Sequence, residues 1–580
     1  MNKHEIAEVL DTMGTLLALK GDNPFEIRAY HNAARVIENL DENLEKLVLD
    51  NSLEKIPGIG QRLAKKITIL ITTGRLPAFE KLKKSIPAPL LQLLKIPGLG
   101  SKKVKALYEK LHIRSIEDLL RACKGGKVAR LAGFGEKSQA NIMNGIAKME
   151  SYGKRMLWWD AKHIADSLTE AFSTCKQVKK VEVAGSLRRG LETVGDLDIL
   201  AISTKPLQVM EWFIKQPFIK KVLARGPTKA SVRLKDEIQV DLRILPENEF
   251  GFGLLYFTGS KEHNIRLRIR ARERGYMLSE YRLDPIQKKE RPLFSKKEAP
   301  SEKEIYRALG LCYIPPELRE DMGEIEAAEK GKIPRLIEEK DLMGAFHCHT
   351  AESDGHNRLE EMVSSAENLG WKYIGISDHS KSSFQANGLA PDALIAQMQR
   401  IARLNRSKKF STYIFSGTEC DILKDGRLDF PNEILKKLDF VIISIHSSFQ
   451  LDEAAMTKRL IKAIENPYST IVGHLTARLL LERDPIAMNH EKVIDACIAN
   501  GKIIELNGHP MRLDMDWRLW HKARDKGLKT LIDPDAHSVK DLEFVRSGVK
   551  VARKGWLRKQ DVLNTLSLKA MKAFLEKQKK

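Results

Sequence analysis

The sequence predicts a multidomain protein of mixed α+β and α/β class, with a helical N-terminal region and a C-terminal barrel of parallel strands. In residues 1–150, apolar residues recur at helical spacing and are punctuated by glycine turns. Residues 175–315 contain short β-rich runs, and from residue 341 onward strand and helix patterns alternate. A chain of 580 residues is also longer than one hydrophobic core usually serves, so several domains are expected.

The composition is that of a soluble globular protein, with 42% hydrophobic and 30% charged residues. No apolar run approaches the ~20 residues that a membrane helix needs, and the first residues lack the apolar core of a signal peptide. The six cysteines form no CxxC pair and are spread along the chain, which is typical of the reducing cytosol. We expect a cytoplasmic protein without a membrane partner, and a monomer.

The net charge of +21 is concentrated in the N-terminal part of the chain. Residues 331–580 carry 40 basic and 33 acidic residues, whereas residues 1–330 carry 58 and 44. A positive surplus of this kind suits a polyanion such as DNA. It is equally typical of solvated lysine faces on a very soluble protein, so the charge alone does not decide between the two interpretations.

A glycine hairpin is repeated within the helical region. It reads IPGIG at 56–60, IPGLG at 96–100 and, more weakly, LAGFG at 131–135, and basic residues follow each copy. Such a hairpin can present backbone N–H groups at a helix N-terminus to a phosphate oxygen, although Pro-Gly can also simply end a helix. The repeat resembles the helix-hairpin-helix motif, which contacts the DNA backbone without reading sequence. The candidate DNA-binding residues are Gly58, Gly60, Gly98 and Gly100.

Three aspartates of the β-rich region are candidate metal ligands. Asp196 and Asp198, in VAGSLRRGLETVGDLDIL (183–200), are two residues apart on a predicted strand and therefore face the same side. Asp241, in IQVDLRIL, lies on another predicted strand that can pair alongside. Three convergent carboxylates can hold two cations, such as Mg²⁺, that clamp the oxygens of a phosphoryl transfer. A single DxD is more often a solvated strand end, but here a Gly-Ser turn and two arginines precede it.

These motifs resemble those of the X-family DNA polymerases. GSLRRGLETVGDLD resembles the family's GSxRRG…GDxD pattern, YFTGS (256–260) its nucleotide-pocket signature, and NIRLR and RERGYMLSEY the helix and strand behind it; the resemblance covers about residues 1–320. It implies that Asp196, Asp198 and Asp241 hold magnesium and are catalytic. It also implies a set of residues that bind the triphosphate, the sugar and the base pair of the nucleotide: Gly185, Ser186, Arg189, Gly195, Tyr256, Phe257, Gly259, Asn264 and Arg268.

The resemblance also singles out Lys66, in IPGIGQRLAKK, as a candidate catalytic residue. In eukaryotic repair members of the family, a lysine of the helix after the first hairpin forms a Schiff base with an abasic sugar. The basic residues that those members place near FEIRAYHNAA to hold a 5′-phosphate are not evident in this sequence. Contact with a phosphate is the alternative role of Lys66.

The C-terminal region is rich in histidine. Ten of the 15 histidines follow residue 340, and many come directly after a predicted strand. Because a barrel gathers the C-terminal ends of its strands at one face, these side chains can converge. Imidazole and carboxylate ligands together suit manganese, zinc or iron. The candidate ligands are His347, His349, Asp354, His379, Glu419, His446, His474, Asp535 and His537.

This region resembles a PHP (polymerase and histidinol phosphatase) domain over about residues 340–575. The resemblance implies a distorted seven-stranded (β/α)7 barrel with a multi-metal phosphoesterase site. By that resemblance, one ion is held by His347, His349, Glu419 and Asp535, a second by Glu419, His446 and His474, and a third by Asp354, His379 and His537.

The two resemblances together predict the domain organisation and the function. The expected domains are a lyase-like helix-hairpin-helix domain (1–80), a fingers-type helix-hairpin-helix domain (81–150), a nucleotidyltransferase palm (151–245), a thumb with the nucleotide pocket (246–320), a linker (321–340) and the PHP domain (341–580). The expected function is gap-filling repair DNA synthesis on gapped or primer–template DNA with dNTPs, together with a metal-dependent 3′–5′ exonuclease; cleavage at abasic sites stays open. The alternative is a DNA-bound metallo-phosphoesterase with weak or template-independent nucleotidyl transfer.

Overall fold

The computed structural model describes residues 3–38, 44–50, 52–56, 58–86, 90, 93–94, 96, 99–152, 155–287, 292–295 and 297–578. Hydrogen-bonded elements and packing divide the chain into two compact units, residues 1–153 and residues 154–580. The first unit is helical, and the second contains all the strands of the described residues. The multidomain class with a helical N-terminal region and a parallel-sheet C-terminal domain is thereby confirmed.

The N-terminal unit packs short helices around one apolar cluster. Helix Gln61–Thr73 shows why the sequence folds this way, because it buries Leu63, Ala64, Ile67 and Leu70 along one face. The α-helices whose full bounds lie in the described residues of this unit are Lys3–Lys20, Pro24–Glu38, Leu44–Leu49, Gln61–Thr73, Pro77–Lys84, Ser101–Leu111, Ile116–Lys124 and Glu136–Tyr152, with a 3₁₀ turn at Leu53–Lys55.

The second unit begins with a five-stranded sheet flanked by helices. The first strands are β1 (Met156–Leu157), β2 (Lys180–Val183), β3 (Thr193–Val194), β4 (Asp196–Ile202), β5 (Ile219–Arg225), β6 (Lys229–Leu234), β7 (Gln239–Leu245), β8 (Tyr276–Leu278) and β9 (Leu283–Pro285). The sheet order is β2-β4-β7-β6-β5, and its central pair β4–β7 is parallel. In β7 the alternation is clear, since Val240, Leu242 and Ile244 are buried while Asp241 points to the other face.

A helical segment follows the sheet and forms its own apolar cluster. It contains the α-helices Glu247–Thr258, Lys261–Glu273, Glu302–Ala308 and Glu324–Glu329 and a 3₁₀ turn at Pro316–Leu318. The helices that lie beside the sheet come earlier in the chain and are Trp158–Ser173, Gly185–Arg189 and Pro206–Ile214. Ile325 and Ala328 are buried in the same cluster as Leu336 and Trp556. A few apolar residues of the charged stretch 321–340 therefore contribute to this cluster, while most of its other residues are exposed or partly exposed.

The C-terminal region is a barrel of parallel strands. Its strands are β10 (Gly344–Ala345), β11 (Tyr373–Ile376), β12 (Tyr413–Ser416), β13 (Glu419–Asp421), β14 (Ile442–Ser444), β15 (Ile471–Val472), β16 (Ile503–Asn507) and β17 (Thr530–Asp533). The expected seven strands are present, and the third is split into β12 and β13 at Gly417 and Thr418. β12 pairs with β11, whereas β13 pairs with β14, so the split distorts the barrel. A parallel bridge from Cys348 to Ala536 links the first strand to the last.

Helices surround the barrel, and apolar side chains fill both its interior and the space beneath the helices. The α-helices are Leu359–Asn368, Pro391–Ser407, Asn432–Leu435, Glu453–Ile464, His490–Ala499, Trp517–Asp525, Val545–Lys554 and Leu568–Gln578. Short 3₁₀ turns lie at Glu339–Asp341, Phe384–Ala386, Lys540–Phe544, Lys559–Asp561 and Leu563–Thr565. Within the described part of the chain, the helices are all too short or too polar to cross a membrane.

The barrel is joined to the rest of the second unit by buried ion pairs. Glu317 accepts hydrogen bonds from Lys550 Nζ at 2.9 Å and from Arg553 Nε at 2.8 Å. Glu320 accepts from Lys554 Nζ at 2.6 Å, and the Lys554 side chain is fully buried. Buried charges of this kind are costly unless they are paired, so the two surfaces stabilise each other only while they stay in contact.

A second contact joins the five-stranded sheet region to the barrel. Glu192 lies between the GSLRRG motif and β4, and its carboxylate accepts hydrogen bonds from Trp517 Nε1 at 3.2 Å and from Arg478 at 3.4 Å. The same Arg478 donates from Nε to the carbonyl oxygen of Arg512 at 2.8 Å. A residue outside the barrel therefore helps to hold a loop of the barrel.

We expect Glu317→Gln to lower the free energy of unfolding by about 2–3 kcal/mol at pH 7. This is somewhat less than the loss expected when a fully buried ion pair is broken, because the side chains of Lys550 and Arg553 are partly exposed. Burial alone would raise the pKa of Glu317, but Lys550 and Arg553 lower it from 4.5 to about 2. The stabilisation that Glu317 supplies is therefore fully present above the pKa that this group has in the unfolded chain. It is lost as the pH falls toward the pKa of Glu317 in the folded protein. Calorimetric melting temperatures should differ more between parent and variant at pH 7 than at pH 3.5.

The matched control is Glu326→Gln, which removes a carboxylate that pairs with Arg266 and is half exposed. Its effect should stay below about 1 kcal/mol. Equal losses for the two variants would contradict the assignment of Glu317 as a buried structural charge.

Candidate metal centres

The parallel pair β4–β7 brings the three predicted aspartates together. Asp198 and Asp241 are directly opposite each other in the register of the two strands, and Asp196 precedes Asp198 by two residues on the same face. Asp241 accepts hydrogen bonds from the Ser231 hydroxyl and, at 3.2 Å, from Gln239 Nε2. The alternation of side chains along β4 thus accounts for the positions of Asp196 and Asp198, and the pairing of β4 with β7 accounts for that of Asp241.

Burial and mutual repulsion raise the pKa values of two carboxyl groups in this centre, those of Asp196 and Asp198. Burial, followed by the charges of Asp196 and Asp241, raises the pKa of Asp198 to about 7, and nearby arginines offset only part of this rise. Burial and the charge of Asp241 also raise the pKa of Asp196. Because the carboxylates lack enough positive charge nearby, a divalent cation between them would lower their free energy.

The Gly-Ser turn closes over this centre. Gly185 has a positive φ of 63°, and a Cβ atom there would lie 2.2 Å from Asp198 Oδ2, so no other residue fits. Gly185 and Ser186 begin the short helix Gly185–Arg189, and Gly195 directly precedes β4. Arg189 donates to Glu320 Oε1 at 2.9 Å and to the carbonyl oxygen of Thr258 at 2.8 Å. Of the predicted triphosphate residues, Gly185 thus packs directly on Asp198, whereas the guanidinium of Arg189 is bound to Glu320 and Thr258.

The predicted sugar and base residues lie together on the two helices after β7. Asn264 Nδ2 donates to the carbonyl oxygen of Tyr256 at 2.7 Å, and a Cβ at Gly259 would lie 2.3 Å from that same nitrogen. The Arg268 guanidinium lies 5.6 Å from the centre of the Tyr256 ring. The Phe257 ring packs edge-on against Tyr256 at 5.0 Å.

The N-terminal unit presents two helix N-termini at its hairpins. Gly60 and Gly100 are the N-cap residues of Gln61–Thr73 and Ser101–Leu111, and neither cap supplies a side-chain acceptor. The first N–H groups of these helices therefore have no side-chain cap and suit a phosphate oxygen. Gly58 has a φ of 93°, which glycine adopts without strain. Gly98 lies outside the described residues.

Lys66 lies on the helix that follows the first hairpin. Its ammonium group donates a hydrogen bond to the hydroxyl of Tyr30 and lies 4.8 Å from the centre of that ring. Tyr30 is only 2% exposed, whereas Lys66 is half-buried. The lysine therefore reaches the surface with its amine held by a buried phenol.

The second centre lies at the C-terminal ends of the barrel strands, where all nine predicted histidine, aspartate and glutamate ligands meet. Four overlapping groups have ligand atoms within 4.8 Å of one another: His349, Asp354, His379 and His537; His347, His474 and Asp535; His347, His349 and Glu419; and His379, Glu419 and His446. The grouping differs in detail from the expected sets, since His349 also joins Asp354 and His379 also joins Glu419. The convergence itself follows from the parallel strands.

Glu419, at the start of β13, lies in the middle of the cluster. Its two oxygens are 2.8 Å from His474 Nε2, 3.2 Å from His446 Nε2 and 3.0 Å from His379 Nδ1. His347 Nε2 lies 3.3 Å from the same carboxylate. One carboxylate in reach of so many imidazoles is suited to bridge two cations.

Several ligand atoms are buried without a hydrogen-bond partner. They include Nε2 of His347, both ring nitrogens of His349, Nδ1 of His379 and Oε2 of Glu419. An unpaired buried polar atom is costly, so native structures rarely contain a group of them. Cations of the kind that imidazole and carboxylate bind would satisfy these atoms, and the donor set therefore fits a metal centre.

The electrostatics of the second centre differ from those of the first. Burial would raise the pKa of Glu419, but His446, His379 and His347 hold it well below its ordinary value. Burial, together with the charges of His537 and His379, lowers the pKa of His349 to about 4. Glu419 is therefore ionised and His349 is neutral, which are the forms in which these two groups bind metals.

Residues behind the ligands orient them. Glu505 Oε2 accepts from His347 Nδ1 at 2.7 Å, and Asp421 Oδ1 accepts from His446 Nδ1 at 2.6 Å. Such carboxylates fix the tautomer of a metal-ligating histidine and turn its other nitrogen toward the ion. The sequence analysis missed Asp421, although its place two residues after Glu419 on a strand puts it on the same face.

The sequence analysis also missed Arg512, which lies in the loop between β16 and helix Trp517–Asp525. Its Nε atom is 2.9 Å from Asp535 Oδ2, and Asn507 Nδ2 donates to the same oxygen at 3.1 Å. Asp535 itself has a φ of 52°. A non-glycine residue in that region is held by its surroundings, which is common at functional sites.

The second centre opens into a cavity of about 600 Å³. The ligands Asp354, His379, His446 and His537 form its floor, and Phe384 and Arg512 are among its other lining residues. The volume suits a nucleotide-sized ligand in contact with the metal ligands.

Comparison with known protein families matches four parts of the chain. Residues 1–76 match a helix-hairpin-helix domain, residues 90–148 a SAM-like helix-hairpin-helix tandem, and residues 253–320 the DNA polymerase beta thumb. Residues 345–509 match the PHP domain. These matches include the three glycine hairpins, the predicted nucleotide-pocket residues and the first seven of the nine predicted barrel ligands.

Individual relatives extend the similarity to the whole chain. The chain is 38% identical over 580 residues, the full length of both proteins, to the DNA polymerase/3′-5′ exonuclease PolX of Bacillus subtilis (strain 168). It is 30% identical over 247 residues to a probable phosphatase of Thermoanaerobacter sp. (strain X514), covering 40% of this chain and 94% of that protein. A probable phosphatase of Caldicellulosiruptor bescii is 36% identical over 168 residues, covering 28% of this chain and 63% of that protein.

The geometry of the second centre predicts that metal binding stabilises the fold. Manganese at about 100 times its dissociation constant should stabilise the protein by about 2.7 kcal/mol. A variant with both His347→Ala and His349→Ala should lose most of the rise in melting temperature that manganese causes after chelator treatment. His490→Ala, a histidine outside the four ligand groups, is the control and should keep it. An undiminished rise in the double variant would exclude these two histidines as ligands.

Proposed function

The chain belongs to the bacterial X-family DNA polymerases that carry a C-terminal PHP domain, and from this membership we propose that it fills gaps during base excision repair of DNA. It is a DNA polymerase with a 3′–5′ exonuclease. The observation that carries the proposal is the presence of two sets of convergent metal-ligating side chains in a chain that begins with a helix-hairpin-helix region.

For DNA synthesis, we assign Asp196, Asp198 and Asp241 as the catalytic magnesium ligands. Gly185, Ser186, Arg189 and Gly195 would bind the triphosphate of a dNTP. Tyr256, Phe257 and Gly259 would bind the sugar, and Asn264 and Arg268 the base pair. This assignment is supported by the register of β4 and β7 and by the tight packing of Gly185 on Asp198.

For strand degradation, we assign the nine ligands of the barrel to manganese, zinc or iron. Divalent cations bound in the two centres would neutralise the charge that develops on the phosphate oxygens during transfer or hydrolysis. Glu505 and Asp421 hold His347 and His446 in the tautomer that leaves Nε2 free, and Arg512 holds Asp535. The neutral His349 keeps a buried nitrogen available without a competing proton.

The proposed DNA substrate is a gapped or primer–template duplex. Backbone amides at Gly58, Gly60, Gly98 and Gly100 would contact its phosphates without reading sequence. We propose a cytoplasmic monomer with the domain boundaries expected from the sequence. Template-independent transfer would use the same aspartates, so primer extension with and without a template strand distinguishes it from gap filling.

A lyase activity at abasic sites is a second candidate, because the amine of Lys66 is held at the surface by Tyr30. If Lys66 attacks the sugar, borohydride should trap a covalent adduct with a pre-incised abasic duplex. Lys66→Ala should lose the adduct, whereas Lys65→Ala, which removes an exposed neighbouring amine, should keep it. Absence of an adduct with the parent protein would leave Lys66 as a phosphate contact.

The two chemistries should be separable by substitution. Asp198→Ala removes a ligand where charge develops on the α-phosphate, and we expect extension to slow by about a thousandfold or more, ~4 kcal/mol. Degradation of the primer should persist in that variant. The combined variant His347→Ala and His349→Ala should lose degradation and keep extension.

Both activities are measured together on a gapped duplex with a 5′-labelled primer and manganese, with and without dNTPs. Asp236→Asn, an exposed acid of the β6–β7 turn, is the matched control for Asp198 and should retain both activities. If folded Asp198→Ala lost both extension and degradation, the assignment of two separate centres would be wrong.

A further inference from the structure

One aromatic side chain of the nuclease cavity is unusually exposed. Phe384 lies on the 3₁₀ turn Phe384–Ala386, lines the 600 Å³ cavity, and is 77% exposed. Exposed apolar side chains are common on surfaces, but a large one that also lines a cavity of metal ligands requires an explanation. It is five residues after the ligand His379.

The turn that carries Phe384 is tied to the metal centre on both sides. Ser383 Oγ donates to Asp421 Oδ1 at 2.9 Å, and Leu389 N donates to the carbonyl oxygen of His379 at 2.7 Å. Ser382 N donates to Asp429 Oδ2 at 2.7 Å. A Cβ at Gly388 would lie 1.9 Å from the carbonyl oxygen of Ser380, so the chain is closely packed there. The ring is therefore held out into the cavity by an ordered support.

Phe449, the second phenylalanine that lines the cavity, differs from Phe384 because a cationic side chain packs on its ring. The guanidinium of Arg483 lies 4.4 Å from the centre of the Phe449 ring and covers one of its faces. Among the residues that the structure describes, no aromatic ring and no cationic side chain packs against the ring of Phe384. Phe384 is thus the cavity ring whose faces stay open to an incoming planar group.

We propose that Phe384 is a base-stacking platform for the terminal nucleotide of the DNA strand that the barrel degrades. The inference rests on the proposed nuclease function of the barrel. A nucleobase is the planar group that such a substrate brings, and stacking on an aromatic ring accepts every base. Lys424 lines the same cavity and carries the charge that suits the sugar–phosphate backbone.

The platform favours a particular class of substrate end. A paired terminal base is already stacked in the duplex and must leave that stack to reach Phe384. A mismatched or single-stranded 3′ end has less stacking to lose, so it gains more from the ring. A terminal nucleotide without a base gains nothing from it.

The test compares Phe384→Ala with the parent on two 5′-labelled single strands that differ only at the 3′ end. One strand ends in a normal adenine nucleotide, and the other ends in an abasic nucleotide. We expect KM for the normal strand to rise by about tenfold in the variant with little change in kcat, and KM for the abasic strand to change less than about twofold. Phe384→Trp should restore the parent KM.

A binding measurement without catalysis supports the kinetic one. Chelator-treated protein is titrated into a strand with 2-aminopurine at its 3′ end, whose fluorescence falls when the base stacks. Parent protein should quench the signal at saturation, and Phe384→Ala should not. Leu369→Ala removes a partly exposed apolar side chain outside the cavity lining and should behave like the parent.

The outcomes separate the inference from the function on which it rests. If the parent degrades neither strand, the nuclease assignment itself fails. If the parent degrades both strands and Phe384→Ala changes KM equally for both, or for neither, the stacking platform is wrong. If Phe384→Ala melts at a lower temperature than the parent, Phe384→Leu takes its place, because leucine keeps the bulk of the side chain but lacks the aromatic face. Phe384→Leu must then raise KM for the normal strand and not for the abasic strand.

Discussion

Repulsion between convergent carboxylates is the constraint on which both centres depend, and the two centres meet it differently. In the five-stranded sheet, burial and the charges of neighbouring aspartates raise the pKa values of Asp196 and Asp198, and nearby arginines offset only part of the rise. In the barrel, imidazoles surround Glu419 and keep it ionised. The first site therefore has too little positive charge from its own side chains, whereas in the second site imidazoles lie close to the central carboxylate.

The geometry of the strands places the predicted metal ligands of the barrel, and hydrogen bonds from residues behind these ligands set the orientation of their side chains. Parallel strands collect the barrel ligands at one face. Glu505 and Asp421 then orient His347 and His446 through hydrogen bonds of 2.7 and 2.6 Å. The splitting of the third strand at Gly417 is part of this arrangement, because it lets β13 pair with β14 and brings Glu419 to the centre. A Cβ at Gly417 would lie 2.3 Å from the Phe440 ring, so only glycine fits there without a shift of that ring.

Regular periodicity made much of the fold and of the ligand sets predictable from the sequence. The alternation in DLDIL and QVDLRIL was enough to place Asp198 and Asp241 on one face, and strand-end histidines predicted the barrel site. Contacts between distant segments were not predictable, since no local pattern shows that Arg189 pairs with Glu320 or that Glu192 reaches Arg478. Within the charged stretch 321–340, Ile325 and Ala328 pack in an apolar cluster whose other members lie elsewhere in the chain, which no local pattern shows. The exposure of Phe384 likewise depends on tertiary structure.

The contact of Glu192 with the barrel limits how the chain can be divided or recombined. A recombinant fragment that began at residue 341 would carry Arg478 and Trp517 without their acidic acceptor and Lys554 without Glu320. A chimera that exchanged the barrel alone would need compatible charges at every one of these positions. For protein engineering, the smallest exchangeable module that keeps its buried charges paired is therefore the whole second unit, even though its sequence divides into recognisable family segments.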